Sequence, residues 1–189
     1  GLAWMRPSRC AQEKKARILE SRKGGTEFLS RALAGLARKP SVLVSASAVG
    51  YYGNRGSEIL TEDAAPGNGF LAKVCQGWEG ATAPAERAGI RVVKLRTGMV
   101  LSAGGGALGT MLIPFQLGVG GRLGSGRQYV SWIDLDDEAG LIYHALRTPR
   151  LRGPVNATAP HPVTNATFTD TLGRVLGRPT LIPVPALGV

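Results

Sequence analysis

The residues best suited to chemistry in this sequence are hydroxyl-bearing side chains that follow a short apolar run. The run at 42–44, Val-Leu-Val, predicts a strand buried on both faces of a parallel sheet. Ser45 and Ser47 come directly after it, and Tyr51 and Tyr52 follow in a glycine-flanked turn. Ligands of open α/β sheets bind just outside the carboxyl ends of strands, where such hydroxyls can orient a carbonyl or hydroxyl group. A buried strand that simply ends in a glycine-rich turn is the alternative.

A second strand is followed by a similar polar segment. The run at 90–95, IRVVKL, predicts another buried strand, and Thr97, Gly98 and Val100 lie just beyond it. Each strand is preceded by an amphipathic helix, predicted at 11–37 and 70–88. Two helix–strand units that run in the same direction predict an α/β fold with a doubly wound parallel sheet.

The remaining chain predicts further short elements. We expect a flexible glycine-rich loop at 104–106, because no Lys-Ser/Thr pair follows it and it is interpreted as lacking the G-x-G-x-x-G order at a strand-to-helix turn. After it we expect a helix at 107–117 interrupted by Pro114 and a strand at 127–133. A further helix is expected at 136–147, and a last one begins after Thr164 or Asn165 and ends at Gly177. Short strands are expected at 153–157 and 181–184. Asp134, Asp136 and Asp137 are interpreted as residues that stabilise a helix N-terminus, not as metal ligands.

Composition limits the classes of function. The chain has 189 residues and a net charge of +10, and residues 1–40 hold ten of the basic residues against three Glu. This basic region favours a solvated helix face over a nucleic-acid site, because no aromatic stacking pattern accompanies it. No apolar run is long enough to span a bilayer, and two Cys predict no disulfide framework, so we expect an intracellular protein, cytoplasmic or in an organellar matrix. The start at Gly1 suggests a fragment.

Five stretches together carry a family resemblance. They are SASAVGYYG, TEDAAPGNGFLAKVCQGWE, RTGMVLSAGGGAL, GVGGRLGSGRQYVSWIDLDD and GPVNATAPHPVTN. The chain resembles the atypical extended short-chain dehydrogenase/reductases, the NAD(P)-dependent, epimerase-like proteins of the YfcH-type sugar-nucleotide-epimerase-like group. The resemblance covers nearly the whole chain and implies a single Rossmann-like domain with a smaller substrate-side lobe, which binds NADP or NAD.

Two departures from the family pattern bear on function. The glycine-rich dinucleotide fingerprint GGxGFxG is not in the sequence, and the family's tail extends beyond Val189, so we expect a domain incomplete at both ends. In ordinary short-chain dehydrogenases a Tyr and a Lys four residues later share the acid–base chemistry. When the helix is aligned by Trp78-Glu79, Leu71 stands at the Tyr position and Cys75 at the Lys position, and neither can replace its counterpart. Ser47 still matches the family's Ser.

The resemblance implies roles for named residues. We expect Ser47 with Tyr52 or Tyr51 as catalytic groups, and Arg127 and Trp132 as substrate contacts, Arg127 because a guanidinium matches phosphate. The alternatives are that both tyrosines only pack in the turn, and that Arg127 and Arg22 are solvated surface charges. The implied cofactor contacts are Arg22, Ser45, Thr97, Gly98 and Val100. The expected partners are a dinucleotide and a small-molecule substrate, either a sugar nucleotide or a compound with a carbonyl or hydroxyl group. The alternative function is a non-catalytic dinucleotide sensor or scaffold, which the missing Tyr-Lys pair favours.

Overall fold

The computed structural model describes residues 9–180, with side chains from residue 11 onward. The backbone clusters in two compact units. Unit 1 contains residues 9–55, 60–96 and 145–155, and unit 2 contains residues 56–59, 97–144 and 156–180. The apolar run predicted as a strand at 181–184 and the start of the chain at Gly1 lie outside the described residues.

Unit 1 begins with a long helix, α1, at Arg9–Gly35. The helix passes through Gly24 and Gly25 without a break, although glycine weakens a helix interior. On its exposed face, Arg31 donates to the carboxylate of Glu27, four residues earlier, and this ion pair stabilises the helix.

Three strands form one sheet: β1 at Val42–Ala48, β2 at Arg91–Thr97 and β6 at Gly153–Ala157. Their order in the sheet is β1-β2-β6. Residues 42–44 are half-buried and not buried on both faces as predicted, because β1 lies at the edge of this sheet. The core of the unit joins Ala85, Ile90 and Val92, with Leu33 of α1 and Leu43 of β1 packed against it.

The helix predicted at 70–88 is in fact two helices. Helix α2 covers Phe70–Gly80, and the shorter α3 covers Ala83–Arg87. The break falls where Thr82 Oγ1 donates to the Glu79 carbonyl at 2.7 Å and where Pro84 occupies the first turn of α3. Proline has no N–H to continue a preceding helix, but it suits the start of a new one.

Unit 2 contains strands β3 at Met99–Leu101, β4 at Tyr129–Val130, β5 at Trp132–Asp134 and β7 at Val163–Thr164. Its helices are α4 at Gly106–Gln116 and α6 at Asn165–Leu176. Helix α5 covers Leu135–Arg147, and its residues 135–144 belong to this unit. The strand predicted at 127–133 is two strands in different sheets, since β4 pairs antiparallel with β7 and β5 pairs parallel with β3.

The expectation that the glycine-rich loop lacks the G-x-G-x-x-G order at a strand-to-helix turn is wrong. Gly104, Gly106 and Gly109 have the G-x-G-x-x-G spacing, and the structure places them between β3 and the start of α4, which is a strand-to-helix turn. Helix α4 continues through Pro114 to Gln116. The strand β3 was hidden in the sequence because it has only three residues.

The helix ends in unit 2 follow their sequence signals. Thr164 precedes α6, its hydroxyl accepts from the Thr167 N–H at 3.2 Å, and Gly177 ends the helix in the left-handed conformation, as predicted. At the start of α5, the Asp134 carboxylate accepts from the Asp136 N–H at 2.9 Å, so the predicted capping role is confirmed for Asp134.

Candidate functional site

The carboxyl end of β1 carries the two serines that the sequence singled out. Ser45 and Ser47 lie on the same side of the strand, as residues two apart must, and both are buried. Ser47 Oγ donates to Glu79 Oε1 of α2 at 2.7 Å. Ser45 has only a long contact, 3.4 Å, with the carbonyl of its neighbour Ala46. Ser47 is therefore tied to the helix, and Ser45 is not.

The two tyrosines occupy a 3₁₀ turn at Val49–Tyr52 and differ in exposure. Tyr52 is 3% exposed, whereas Tyr51 is half-buried. Their rings pack edge to face, with centroids 5.4 Å apart and an interplanar angle of 84°. Tyr51 is thus the more exposed residue of the pair.

A buried ion pair connects these predicted residues. The Arg96 guanidinium at the end of β2 donates through Nε to Glu79 Oε1 at 2.9 Å and through Nη2 to Glu79 Oε2 at 3.0 Å. Its Nη1 donates to Tyr52 Oη at 2.9 Å and to the Glu62 carbonyl at 3.0 Å. Arg96 is 3% exposed and Glu79 is 8% exposed. Ser47 and Tyr52 therefore bond to opposite members of one ion pair.

The charge state of Arg96 is fixed by this environment. Burial alone lowers the pKa of the guanidinium, but the hydrogen bonds with Glu79 and Tyr52 outweigh it and raise the pKa overall. Arg96 also lies 3.5 Å from the centroid of the Tyr51 ring and 5.0 Å from that of Tyr52. A permanent cation thus faces both rings.

The positions that hold Tyr and Lys in ordinary short-chain dehydrogenases lie beside the same turn. A side chain added at Gly50 would touch the Leu71 Cβ and the Cys75 Sγ, so both residues project from α2 toward it. Burial raises the pKa of the Cys75 thiol, and hydrogen bonds with the Ala48 backbone and with Ser47 offset this only in part. Cys75 therefore stays a neutral thiol near pH 7 and supplies no fixed positive charge.

Arg22, an expected cofactor contact, lies on an exposed face of α1 in unit 1. Its guanidinium is 5.6 Å from the centroid of the Trp78 ring of α2, and Nη1 donates to Ser21 Oγ at 3.1 Å. The aromatic contact holds the side chain against α2 while its outer edge stays exposed.

The expected cofactor contacts of unit 2 surround the start of β3. Thr97 donates from its hydroxyl to Glu138 Oε1 of α5 at 3.0 Å. Gly98 is packed so tightly that an added Cβ would lie 2.6 Å from the Ser131 carbonyl oxygen, which explains why glycine is needed there. Val100 is half-buried and pairs in register with Ile133 of β5.

The expected substrate contacts also belong to unit 2. Arg127 is exposed in a loop that is anchored on α6, because Asn165 Oδ1 accepts from the Leu123 N–H at 2.8 Å. Trp132 of β5 is half-buried and donates from Nε1 to the His161 carbonyl at 3.2 Å. A fixed loop therefore presents the Arg127 guanidinium to solvent.

Sequence reasoning did not predict the side-chain contacts of Glu79, Arg96 and Asn165. For Arg96 a signal existed, since a charged residue directly after an apolar strand needs a buried partner if it turns inward. Across residues 9–180, no three His, Cys, Asp or Glu side chains converge to hold a metal ion. None of the helices that the structure describes is both long and apolar enough to cross a membrane.

Comparison with known proteins places this geometry in context. No family model matches the chain. It is 49% identical over 175 residues to the epimerase family protein Mb2239 of Mycobacterium bovis, covering 93% of this chain and 58% of that protein. It is 39% identical over 178 residues to the epimerase family protein YfhF of Bacillus subtilis, covering 94% of this chain and again 58% of the relative.

Two solved structures share the fold. The human epimerase family protein SDR39U1 (isoform 2), crystallised with NADPH, has a TM-score of 0.87 at 36% identity, covering 97% of this chain and 62% of that one. A nucleoside-diphosphate sugar epimerase from Corynebacterium glutamicum has a TM-score of 0.79 at 42% identity, covering 92% of this chain and 38% of that one. The predicted α/β, Rossmann-like fold class is confirmed. Over the part of these relatives that it spans, the chain belongs to the epimerase family proteins, an atypical group of the extended short-chain dehydrogenase/reductases.

Proposed function

We propose that this protein binds NADP or NAD and acts as an oxidoreductase or epimerase on a sugar nucleotide or on a small carbonyl or hydroxyl compound. One observation carries the proposal: Ser47, Tyr51 and Tyr52 are organised around a single buried ion pair at the carboxyl end of β1. Hydroxyl groups at this end of a sheet suit a ligand site. The NADPH bound to the human relative with 36% identity supports the choice of cofactor.

The residues present fit the reactive end of a dinucleotide. Ala46 and Ala48 have small side chains at the end of β1, and the buried hydroxyl of Ser45 makes one long contact, 3.4 Å, with the Ala46 carbonyl. Arg22 adds an exposed guanidinium edge suited to a phosphate. Thr97, Gly98 and Val100 remain proposed cofactor contacts. The bound cofactor would supply or accept the hydride.

Within this proposal the hydroxyls have different tasks. Tyr51 is the more exposed of the two tyrosines, so we assign it as the phenol that meets the substrate oxygen and exchanges a proton with it. Ser47 and Tyr52 are buried and bonded to Glu79 and Arg96, so they act by holding the strand end in place.

We assign the substrate contacts to Arg127 and Trp132. An exposed guanidinium on an anchored loop can bind a phosphate through two parallel hydrogen bonds, which favours a nucleotide-linked substrate. The half-buried Trp132 ring gives a flat surface for an apolar or sugar group. A reducing compartment, cytoplasmic or organellar, suits the unpaired Cys75 thiol.

The second candidate function is a dinucleotide sensor without catalysis. It is favoured by Leu71 and Cys75, which stand where an ordinary short-chain dehydrogenase has its Tyr and Lys. A sensor would bind the dinucleotide and turn over no substrate, so binding and turnover must be measured separately.

The test is a titration of the 189-residue chain with NADPH and then NADH, followed by quenching of Trp fluorescence. Sugar nucleotides and small carbonyl compounds are then screened for turnover with the wild type, Tyr51→Phe, Ser47→Ala and Tyr52→Phe. Tyr143→Phe is the matched control, because Tyr143 is 64% exposed on α5. The enzyme proposal expects saturable binding, and turnover that Tyr51→Phe lowers by about 100-fold or more to a residual rate that can still be measured. Saturable binding without turnover selects the sensor. If neither dinucleotide binds, the titration is repeated on the chain joined to an amino-terminal unit that carries the glycine-rich fingerprint, and failure of that longer protein to bind rejects both functions.

A further inference from the structure

We propose that Arg96, held by Glu79, is a positioning residue that sets the orientation of the Tyr51 ring. The inference rests on the proposed function in so far as Tyr51 meets the substrate, but the orientation itself is a property of unit 1. The orientation of Tyr51 depends on two sets of contacts of the Arg96 guanidinium, those in its own plane and those across its face.

The in-plane contacts leave the guanidinium no freedom to rotate. Its Nε and Nη2 groups bind the two oxygens of Glu79 side by side, at 2.9 and 3.0 Å. Its Nη1 group binds Tyr52 Oη and the Glu62 carbonyl. Four hydrogen bonds in one plane require the rigid fork of arginine, and the point charge of a lysine cannot reproduce them.

The face of the guanidinium then determines where Tyr51 can lie. Arg96 Cζ is 3.5 Å from the centroid of the Tyr51 ring, a stacking distance, and the Tyr52 ring packs edge to face against the same ring. Because the plane of Arg96 is fixed by Glu79, the plane of Tyr51 is fixed in turn. Rotation of the Tyr51 side chain would separate it from both neighbours.

The backbone on the other side of the turn is held as well. The Gly67 N–H donates to the Tyr51 carbonyl at 2.9 Å, and Arg96 binds the Glu62 carbonyl of the same loop. A side chain at Gly67 would overlap the Tyr52 carbonyl oxygen, so the loop lies directly against the turn. One arginine therefore connects the strand, the turn and the loop.

The energetics favour a positioning role over simple stabilisation. A buried ion pair is offset by the free energy of desolvating both charges, and an apolar pair of similar volume is often as stable or more so. The ion pair makes directional hydrogen bonds with Ser47 and Tyr52 and stacks on the Tyr51 ring, and an apolar pair could not make these contacts. The ion pair therefore contributes more to the orientation of these side chains than to stability.

The test uses Arg96→Lys, which keeps the charge and removes the fork. Arg91→Lys is the matched control, since Arg91 lies on the same strand and its guanidinium binds only main-chain carbonyls of Ala145, Leu146 and Leu151. Ring ¹³C-labelled tyrosine, assigned with Tyr51→Phe, gives an NMR signal for Tyr51 that needs neither cofactor nor substrate. We expect Arg96→Lys to move this signal toward that of an exposed tyrosine, and Arg91→Lys to leave it in place.

A double-mutant cycle then links orientation to chemistry. If Arg96 acts through Tyr51, the loss of turnover in Arg96→Lys, about tenfold to 100-fold for a small misplacement, disappears in the Tyr51→Phe background. An unchanged Tyr51 signal, or losses that simply add, overturns the inference. A shifted signal in a protein without turnover instead rejects the enzymatic function and keeps the positioning. If Arg96→Lys does not fold, Glu79→Gln breaks the same pair at constant volume and is judged by the same signal.

Discussion

Arg96 and Glu79 form a bidentate ion pair, with Nε to Oε1 at 2.9 Å and Nη2 to Oε2 at 3.0 Å, between the end of β2 and the buried face of α2. The pair joins the helix to the strand next to the turn that carries both tyrosines. Its burial makes the two partners strongly dependent on each other.

Removing one partner of this pair should be costly. We expect Arg96→Met to lower the free energy of unfolding by about 3–5 kcal/mol, because Glu79 would remain as a buried charge without its partner. Urea denaturation followed by circular dichroism measures the change. Arg31→Met breaks an exposed pair with Glu27 and should leave the denaturation midpoint unchanged. Equal effects of the two variants would show that burial of the Arg96 pair adds nothing.

The close approach of the 62–67 loop predicts a sensitive glycine. Gly67→Ala places a methyl group against the Tyr52 carbonyl oxygen, so we expect a loss of about 1–3 kcal/mol in unfolding free energy. Gly25→Ala is the control, because space is open around Gly25 within α1, and it should stabilise the helix by up to about 1 kcal/mol. Thermal unfolding of both variants decides the matter, and a neutral Gly67→Ala would mean that the loop lies farther from the turn.

Cys75 should be a poor nucleophile in the folded protein. Burial raises the pKa of its thiol, so the thiolate fraction falls at neutral pH, and the side chain is also closed to reagents. In the Cys10→Ser variant, which leaves Cys75 as the single cysteine of the sequence, iodoacetamide should react much faster in denaturant than in buffer at pH 8. Rapid alkylation of the native variant would contradict the burial of Cys75.

Glu138 should make stability depend on pH. Burial raises the pKa of its carboxyl, although the hydrogen bond from Thr97 lowers it in part, and its second oxygen is buried with no partner among the described residues. A raised folded pKa gives stability that is present below the unfolded value of 4.5 and is lost as the pH rises through the folded value. The unfolding free energy of the wild type should therefore fall relative to Glu138→Gln between pH 4 and 8. A constant difference across that range would mean that Glu138 titrates alike in the folded and unfolded states.

The fold could be predicted because its signals are local. Apolar runs at 42–44 and 90–95 identified β1 and β2, and a Thr–Gly pair marked both ends of α6. The strand at 127–133 was not divided correctly because its halves pair with β7 and β3, which are distant in sequence. Pairing of that kind leaves no trace in the residues of one strand.

The candidate site was predictable in its residues and not in its connections. Ser47, Tyr51 and Tyr52 stand out as hydroxyls after a strand, yet the sequence does not show that Glu79 and Arg96, 17 residues apart, meet between them. The sequence pattern identifies which side chains could take part in chemistry. Hydrogen-bond partners depend on how a helix and two strands pack, and this is a tertiary property.

The indole rings have a practical consequence. Trp78 belongs to unit 1 and lies beneath the Arg22 guanidinium, whereas Trp132 belongs to unit 2 and donates to the His161 carbonyl. Each unit therefore carries its own optical reporter in a distinct polar environment. With Trp4 replaced by Phe, single-tryptophan forms of the chain would show whether the two units melt at one temperature or at two.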